Sequence, residues 1–265
     1  MSNAIIKSEP TMQLIWDLPV RLWHWLLTGS FIAAAVISLA IGEDSSLFPY
    51  HSILGLVMVL MVVLRLIWGV IGTRHARLGA LAFAPSALLS YLRGVAFGGA
   101  PRFAAHNPGA AYATIAMLVL ILVIGGTGLA LSQGNDRVKE LHELGVYALL
   151  AVAGAHILGV IAHTLRHREA IALSMIHGRK TASPADAIRS SRPLAALLFL
   201  LIVGAWGFGL VRAYDPAAQT TTLPLTGLVL RLGEEAESGG EPAGRDEAAR
   251  HKGDRGEADH DEDDD

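Results

Sequence analysis

The sequence predicts an all-α integral membrane protein: a four-helix transmembrane bundle, a fifth C-terminal transmembrane helix and a disordered acidic tail. The 265-residue chain is 52% hydrophobic and only 17% charged, a composition typical of multi-pass membrane proteins. Its final residues are rich in charge and poor in aliphatic side chains. Five apolar stretches are each long enough to cross a bilayer, at about residues 20–41, 51–72, 111–132, 141–165 and 194–211.

Charge is distributed unevenly along the chain. Residues 233–265 hold 14 acidic and 4 basic residues and therefore have a net charge of −10. Because the whole chain has a net charge of −3, residues 1–232 have a net charge of +7. Such a polar segment cannot build a core. The predicted organisation is a cytoplasmic N-terminal segment (1–19), a bundle with its cytoplasmic loops (20–182), a linker with the fifth helix (183–212) and an extracytoplasmic, acidic, largely disordered tail (213–265).

The basic residues of the short loops predict the orientation. The loop between the second and third spans carries four arginines, and the loop between the fourth and fifth spans carries five arginines and a lysine. Residues 42–50 contain no basic residue, and residues 133–140 contain two. Because basic loops stay on the cytoplasmic side, the N-terminus is predicted to be cytoplasmic and the C-terminus periplasmic, in a bacterial inner membrane.

The absence of cysteine narrows the chemistry. It excludes disulfides, iron–sulfur clusters, thiolate ligands and c-type haem attachment. A bound metal ion is then held by His, Met, Tyr or carboxylate ligands. The sequence also contains no phosphate-binding glycine loop, no Ser/His/Asp set and no nucleic-acid-binding pattern. The five apolar stretches predict membrane lipid as a partner. Because the sequence has no nucleic-acid-binding pattern, nucleic acid is not predicted as one.

Histidines within the apolar spans are the candidate functional residues. His142 and His156 lie 14 residues apart on the fourth span, so they are about 21 Å apart along a helix and nearly on one face. In the predicted topology His51 lies level with His142 near the outer surface, and His24 lies level with His156 near the cytoplasm. Two such pairs suit the axial ligation of two haems b. The alternative is that these are isolated helix-end histidines, bonded to water or backbone carbonyls.

Three further residues are candidates for the cytoplasmic site. His163 lies seven residues after His156 on a similar face, so it is a reserve ligand or a contact for a haem propionate or a quinone. Arg65 and Arg21 are candidate counter-ions for propionates, whereas the alternative for Arg65 is snorkelling to the lipid headgroups. His106, just before the third span, is read as a loop residue, with a quinone contact as the other interpretation.

Several runs of the sequence resemble one known family. These runs are WDLPVRLWHWLL, HSILGLVMVLMVVLRLIWGVIGTRHA, and LHELGVYALLAVAGAHILGVIAHTLRHRE followed by MIHGRK. They resemble the bacterial cytochrome b561 family and are similar to the b-type cytochrome subunits of nickel–iron hydrogenases, over residues 14–182. The resemblance implies a four-helix membrane bundle with two haems b that exchanges electrons with the quinone pool. By position, the family's ligands match His24, His51, His142 and His156. The fifth span and the acidic tail depart from the four-helix pattern.

The predicted function is electron transfer by a membrane dihaem cytochrome b, between quinone or quinol as substrate and a redox partner. That partner is a periplasmic c-type cytochrome or a small oxidant, and a homodimer is left open. One alternative is a cytochrome b subunit that anchors a hydrogenase-like or other periplasmic oxidoreductase. A second alternative is a haem-free membrane transporter or structural protein that uses its histidines for metal ions or protons.

Overall fold

A computed structural model of the protein describes residues 11–99 and 101–233, and nearly all of the regular structure in them is helical. In chain order the elements are β1 (Thr11–Leu14), α1 (Leu18–Val36), α2 (Phe48–Ile71), α3 (Pro85–Phe97), α4 (Pro108–Leu131), α5 (Lys139–His167), α6 (Ile171–His177), β2 (Arg179–Ala182), α7 (Pro193–Arg212), β3 (Thr220–Thr222) and β4 (Val229–Arg231).

Five helical segments are long and apolar enough to cross a membrane. They are Leu18–Ile41, which is α1 with a π-helical last turn, then Phe48–Ile71, Pro108–Leu131, Asp136–His167 and Pro193–Arg212. The predicted all-α membrane fold is therefore confirmed.

Proline and a capping side chain explain where these helices begin. Proline occupies the first turn of α1, α2, α4 and α7, where its missing N–H costs no hydrogen bond. Asp17 caps α1 by accepting from Val20 N at 3.0 Å, and Asn107 caps α4 by accepting from Ala110 N at 2.8 Å. Each cap satisfies an N–H group that the helix itself leaves unpaired.

The bundle packs as a row of neighbours rather than as a closed square. α1 packs on α2, α2 on α4 and α4 on α5, while α7 packs against both α1 and α2. Two side chains of α7, Phe199 and Val203, join the core beside Met61 and Val62 of α2. The fifth spanning helix is thus part of the bundle. Among the described residues, α5 makes few close backbone approaches to α1 or α2.

Two small antiparallel sheets lie outside the spanning helices, and the sequence did not predict them. β1 pairs antiparallel with β2, with Leu14 opposite Arg179, which joins the start of the chain to the segment after α6. β3 pairs antiparallel with β4, with Thr221 opposite Leu230.

This second pair corrects the expectation of a largely disordered tail from residue 213 onward. Residues 221–230 contain no charged side chain. Leu230 and Leu232 are buried against Leu210 and Ile53, so the segment has a core to pack against. The rest of the predicted tail, 234–265, lies outside the described residues.

Candidate functional site

The outer pair of histidines lies between α2 and α5. His51 and His142 both occupy the first turn of their helices, and their ring centroids are 6.5 Å apart with an interplanar angle of 66°. Two imidazoles bound to one metal ion at about 2 Å each, with about 1 Å from each nitrogen to its ring centre, place the centroids about 6 Å apart. The observed separation is close to that value.

Hydrogen bonds hold both outer rings in one tautomer. His51 Nδ1 lies 2.9 Å from the carbonyl oxygen of Ala34. His142 Nδ1 lies 3.1 Å from the carbonyl oxygen of Ile124 and 3.0 Å from Thr127 Oγ1. Because a carbonyl oxygen accepts only, Nδ1 carries the proton in each ring and Nε2 keeps its lone pair. Metal-binding histidines typically have this arrangement, with the second nitrogen donating to an outer acceptor.

Thr127 supports His142 through its own hydroxyl group. Its Oγ1 donates back to α4, where the carbonyl oxygens of Ile124 and Val123 lie at 2.9 and 3.0 Å. The oxygen is then free to accept the proton of His142 Nδ1. Phe48 stacks on the ring of His51 at a centroid distance of 5.5 Å and limits its rotation. These contacts orient both outer rings.

The predicted inner pair is His24 of α1 and His156 of α5. The Nδ1 atom of His24 is buried without a hydrogen-bond partner. A buried polar group left unpaired costs free energy, so this ring has unused binding capacity. The indole of Trp25 packs edge-on against His24 at 5.1 Å.

Arginines accompany the inner pair. Arg65 is only 3% exposed, and its Nε and Nη1 atoms have no hydrogen-bond partner. Its guanidinium lies 5.6 Å from the ring centre of Trp23, the neighbour of His24 in sequence. The Nε of Arg21 is also buried and unpartnered. A guanidinium inside the bundle, rather than at the headgroups, requires an anionic group to compensate its burial.

Asp17 links the beginning of α1 to the end of α2. Its carboxylate is 1% exposed and accepts from Trp68 Nε1 at 3.1 Å and from Thr73 Oγ1 at 2.6 Å, in addition to capping α1. It also interacts electrostatically with Arg21 and Arg65. In the WDLPVR run, this one carboxylate therefore holds the start of α1, which carries His24, to the end of α2, which carries Arg65.

His106 lies in the loop before α4, as the sequence predicts, and it is only partly exposed there. Its ring lies edge-on to Trp16 at 4.8 Å, and its Nδ1 is buried without a partner. Burial lowers the pKa of His106 to about 3, and the positive charges of Arg65 and Lys180 act in the same direction. The ring is therefore neutral at physiological pH. The sequence showed polar residues directly before α4, but it did not predict that the Nδ1 atom of His106 would be buried.

Lys180 holds the loop that carries His106. It is 8% exposed, and its Nζ donates to the carbonyl oxygens of Phe103 at 3.0 Å and Ala105 at 3.3 Å. Burial lowers the pKa of Lys180, while nearby Glu169 acts in the opposite direction.

His163 lies in the last turns of α5, near the helix end at His167. Its Nε2 is 3.9 Å from Glu169 Oε2, and its ring centroid is 4.4 Å from that of His167.

A flat haem group fits these features. The outer histidine pair joins α2 to α5, two helices whose backbones approach each other closely at few points. One turn after His51, at Gly55, an added Cβ atom would meet nothing within 4 Å, so the helix surface beside that ring is open. The unpartnered guanidinium atoms at the inner end suit the propionate groups of a haem.

Comparison with known proteins agrees with this geometry. The family model for prokaryotic cytochrome b561 matches residues 15–178. The chain is similar to proteins named probable Ni/Fe-hydrogenase B-type cytochrome subunit from three bacteria. The Rhodobacter capsulatus protein is 24% identical, over 64% of this chain and 82% of its own length. The proteins from Rhizobium leguminosarum bv. viciae and Cupriavidus necator are 25% and 22% identical, over 63% of this chain and 87% and 86% of their own lengths.

No solved structure gives a significant match to the chain. The family match extends from just before the WDLPVR run to the end of α6 and includes all four paired histidines. The resemblance seen in the sequence is thereby confirmed, and the interpretation as a haem-free transporter or structural protein is set aside. The chain belongs to the prokaryotic cytochrome b561 family and is a membrane b-type cytochrome.

Proposed function

We propose that this protein is a dihaem cytochrome that passes electrons between the quinone pool and a redox partner at the outer membrane face. The observation that carries the proposal is that α5 holds His142 in its first turn and His156 fourteen residues later, each with a histidine of another helix as its proposed partner. His142 and His156 are about 21 Å apart along that helix. Two sites at this spacing provide a relay across most of the hydrocarbon layer, which is about 30 Å thick.

Haem b supplies an iron ion that accepts and releases one electron. At the outer site, His51 and His142 bind it, while Ala34, Ile124 and Thr127 orient the two rings by accepting from Nδ1. Fixed acceptors increase the basicity of the ligands and keep their geometry unchanged between the oxidation states. The outer site is therefore organised by the backbone of α1 and by α4.

At the inner site, His24 and His156 bind haem, while Arg65 and Arg21 neutralise propionates. The burial and unpartnered nitrogen atoms of Arg65 support this role over snorkelling. His163 is the reserve ligand, but its contact with Glu169 favours a place at the edge of the site. His106, with a neutral ring and an unused nitrogen, is suited to a hydrogen bond with a quinone carbonyl group.

The orientation of the chain in the membrane follows from its loops. The arginine-rich segments 72–107 and 168–192 adjoin the inner histidine pair, and basic loops remain in the cytoplasm. The N-terminus is then cytoplasmic, and β3 and β4 lie on the periplasmic side of a bacterial inner membrane.

The redox partner at the outer face has two candidates. A soluble c-type cytochrome or a small oxidant suits a stand-alone quinone oxidoreductase. The second candidate is a periplasmic oxidoreductase that uses this chain as its membrane-anchoring cytochrome subunit. The names of the relatives, which describe subunits of nickel–iron hydrogenases, favour this second arrangement. Co-purification in mild detergent, with and without residues 234–265, distinguishes a stable complex from a transient partner.

Haem counting tests the two-site proposal. We expect the purified wild-type protein to show a b-type reduced-minus-oxidised spectrum and two haems per chain. His51→Ala and His24→Ala should each retain one haem, because each removes a ligand from a different site. His177→Ala is the matched control, since this exposed histidine lies outside both pairs, and it should retain two. A wild-type protein with one haem, or a single substitution that removes both or neither, contradicts the proposal.

Quinol oxidation tests the substrate. Membrane vesicles that contain the protein should show haem reduction when a quinol is added, and His106→Leu should slow the reaction while leaving the haem content at two. A variant that loses haem instead would assign His106 to haem binding rather than to quinone contact.

A further inference from the structure

The segment after α7 forms a rigid hairpin on the bundle, which we call the C-terminal hairpin and define as residues 214–232. Leu230 and Leu232 are 1% and 2% exposed and pack against Leu210 and Ile53. Hydrogen bonds join the hairpin to three helices. Arg231 N donates to Ser132 O at 3.2 Å, Thr221 Oγ1 donates to Leu210 O at 2.8 Å, and Ser52 Oγ donates to Leu232 O at 3.4 Å.

The turn of this hairpin is apolar and exposed. We call residues 223–229 the hairpin tip. Leu225 is 100% exposed, Val229 55% and Leu228 41%. The stretch 221–230 carries no charge. Leu225 also has a φ of 75°, in the left-handed region that branched and bulky residues rarely adopt. This backbone conformation costs free energy, and strained residues of this kind are often found where a side chain makes a functional contact.

The hairpin tip lies at the depth of the membrane surface. Pro224 packs against α7 at Gly209, where an added Cβ would stand 3.1 Å from Pro224 Cγ. Leu223 and Trp206, which lies earlier in α7, both pack against the buried cluster that contains Leu210 and Leu230. Since α7 ends at Arg212, the tip turns back beside the last turns of a membrane-spanning helix. On that helix Phe208 is 69% exposed and Val211 47%, so this level faces lipid.

We propose that the hairpin tip inserts Leu225 and Leu228 into the interface of the leaflet at which α7 ends, as a membrane-surface anchor. Apolar side chains gain free energy by leaving water for the boundary of the acyl chains. Arg231 directly follows the uncharged stretch and Arg212 ends α7, and arginines at the ends of membrane spans reach the lipid headgroups. The partner is therefore the lipid surface itself. Neither β3 nor β4 lies within residues 15–178, so this anchor is an addition to the family's bundle.

A single spin label tests the insertion. Because the chain contains no cysteine, Leu225→Cys and Ala218→Cys each introduce one labelling site. Ala218 is the control, since it is exposed in the turn between α7 and β3. The full-length protein is reconstituted into vesicles of phosphatidylethanolamine and phosphatidylglycerol. Collision of the nitroxide with oxygen, which concentrates in lipid, and with a water-soluble nickel complex is then measured.

We expect the ratio of oxygen to nickel collisions at Leu225 to exceed that at Ala218 severalfold. Equal ratios at the two sites would overturn the proposal. Dipolar broadening between labels at Leu225, independent of the protein-to-lipid ratio, would show that a second copy of the chain covers the tip and would also overturn it.

A glycine substitution tests the contact that sets the depth. Gly209→Leu should push Pro224 away from α7 and lower the collision ratio at Leu225 towards that at Ala218. Gly204→Leu is the matched control, because an added Cβ there meets nothing within 4 Å, and it should leave the ratio unchanged. A ratio that is the same in both variants would contradict the assigned depth. Haem content is measured in parallel to show that the bundle is intact.

Discussion

Replacing Asp17 tests the link between α1 and α2 on which the inner site depends. In Asp17→Ala the carboxylate is lost, and with it the acceptor for Val20 N, Trp68 Nε1 and Thr73 Oγ1. The first of these groups is the N–H in the first turn of α1 that Asp17 caps, and the other two are donors at the end of α2 and just beyond it. The carboxylate is 1% exposed, so water does not readily replace it.

The expected loss can be worked out from these three contacts. An N-cap substitution to alanine costs about 1 kcal/mol, and each buried donor left unpaired costs about 1–3 kcal/mol. Because neighbouring losses do not add fully, we expect Asp17→Ala to reduce the free energy of unfolding by about 3–5 kcal/mol. Asp17→Asn keeps Oδ1 and with it the cap, but it replaces Oδ2, which accepts from both side chains, with an NH2 group. The Thr73 hydroxyl can turn to accept from that group, whereas Trp68 Nε1 is left unpaired, so this variant should cost about 1–3 kcal/mol.

The assay is thermal unfolding in a mild detergent, followed by near-UV circular dichroism at one scan rate. At about 2–4 °C per kcal/mol, Asp17→Ala should lower Tm by about 6–20 °C, and Asp17→Asn by a smaller amount. Asp44→Ala, at an exposed carboxylate in the loop between α1 and α2, is the control and should leave Tm unchanged. The reasoning is refuted if Asp17→Ala melts with the control, or if the asparagine variant is as unstable as the alanine variant.

Two further predictions concern the histidines. Thr127→Val removes an acceptor of His142 Nδ1 and so makes this ligand less basic, which should raise the reduction potential of the outer haem. A net hydrogen bond of about 0.5–1.5 kcal/mol corresponds to a rise of about 20–60 mV, at 59 mV per 1.4 kcal/mol. A redox titration should show this rise with the potential of the inner haem unchanged. Because the pKa of His106 is lowered to about 3 from 6.5, the unfolded chain binds one more proton between these values. Stability should therefore fall as pH drops from 6.5 towards 3, and His106→Gln should show a smaller fall in Tm between pH 7 and pH 5; equal falls would contradict the assigned neutral ring.

The number of spans and the depth register of the histidines followed from local properties of the chain. Hydropathy over about 20 residues measures whether a segment is soluble in lipid, and this needs no knowledge of its neighbours. Helical periodicity likewise placed His142 and His156 on one face of one helix. The structure then brought His51 against His142 at 6.5 Å, as the depth argument required.

For residues whose partners lie far away in the chain, the sequence predicted the role only in part. Arg65 was ambiguous between a lipid-facing and a buried place, and only the packing of α2 against Trp23 puts it inside the bundle. His106 gave a weak signal because Trp16, which packs against it, lies 90 residues earlier in the chain. Because acidic residues follow it closely in the chain, the C-terminal hairpin was predicted to be part of the largely disordered tail.

By itself, the sequence predicted five membrane-spanning helices and histidines in two depth-matched pairs, because lipid solubility and helical period are properties of each segment alone. Only the tertiary structure decided which polar groups are left unpaired at the inner end, how Thr127 and the backbone hold the outer rings, and that the hairpin turns back along α7. The physical reason is that the free energy of a buried polar group depends on partners brought together from distant parts of the chain.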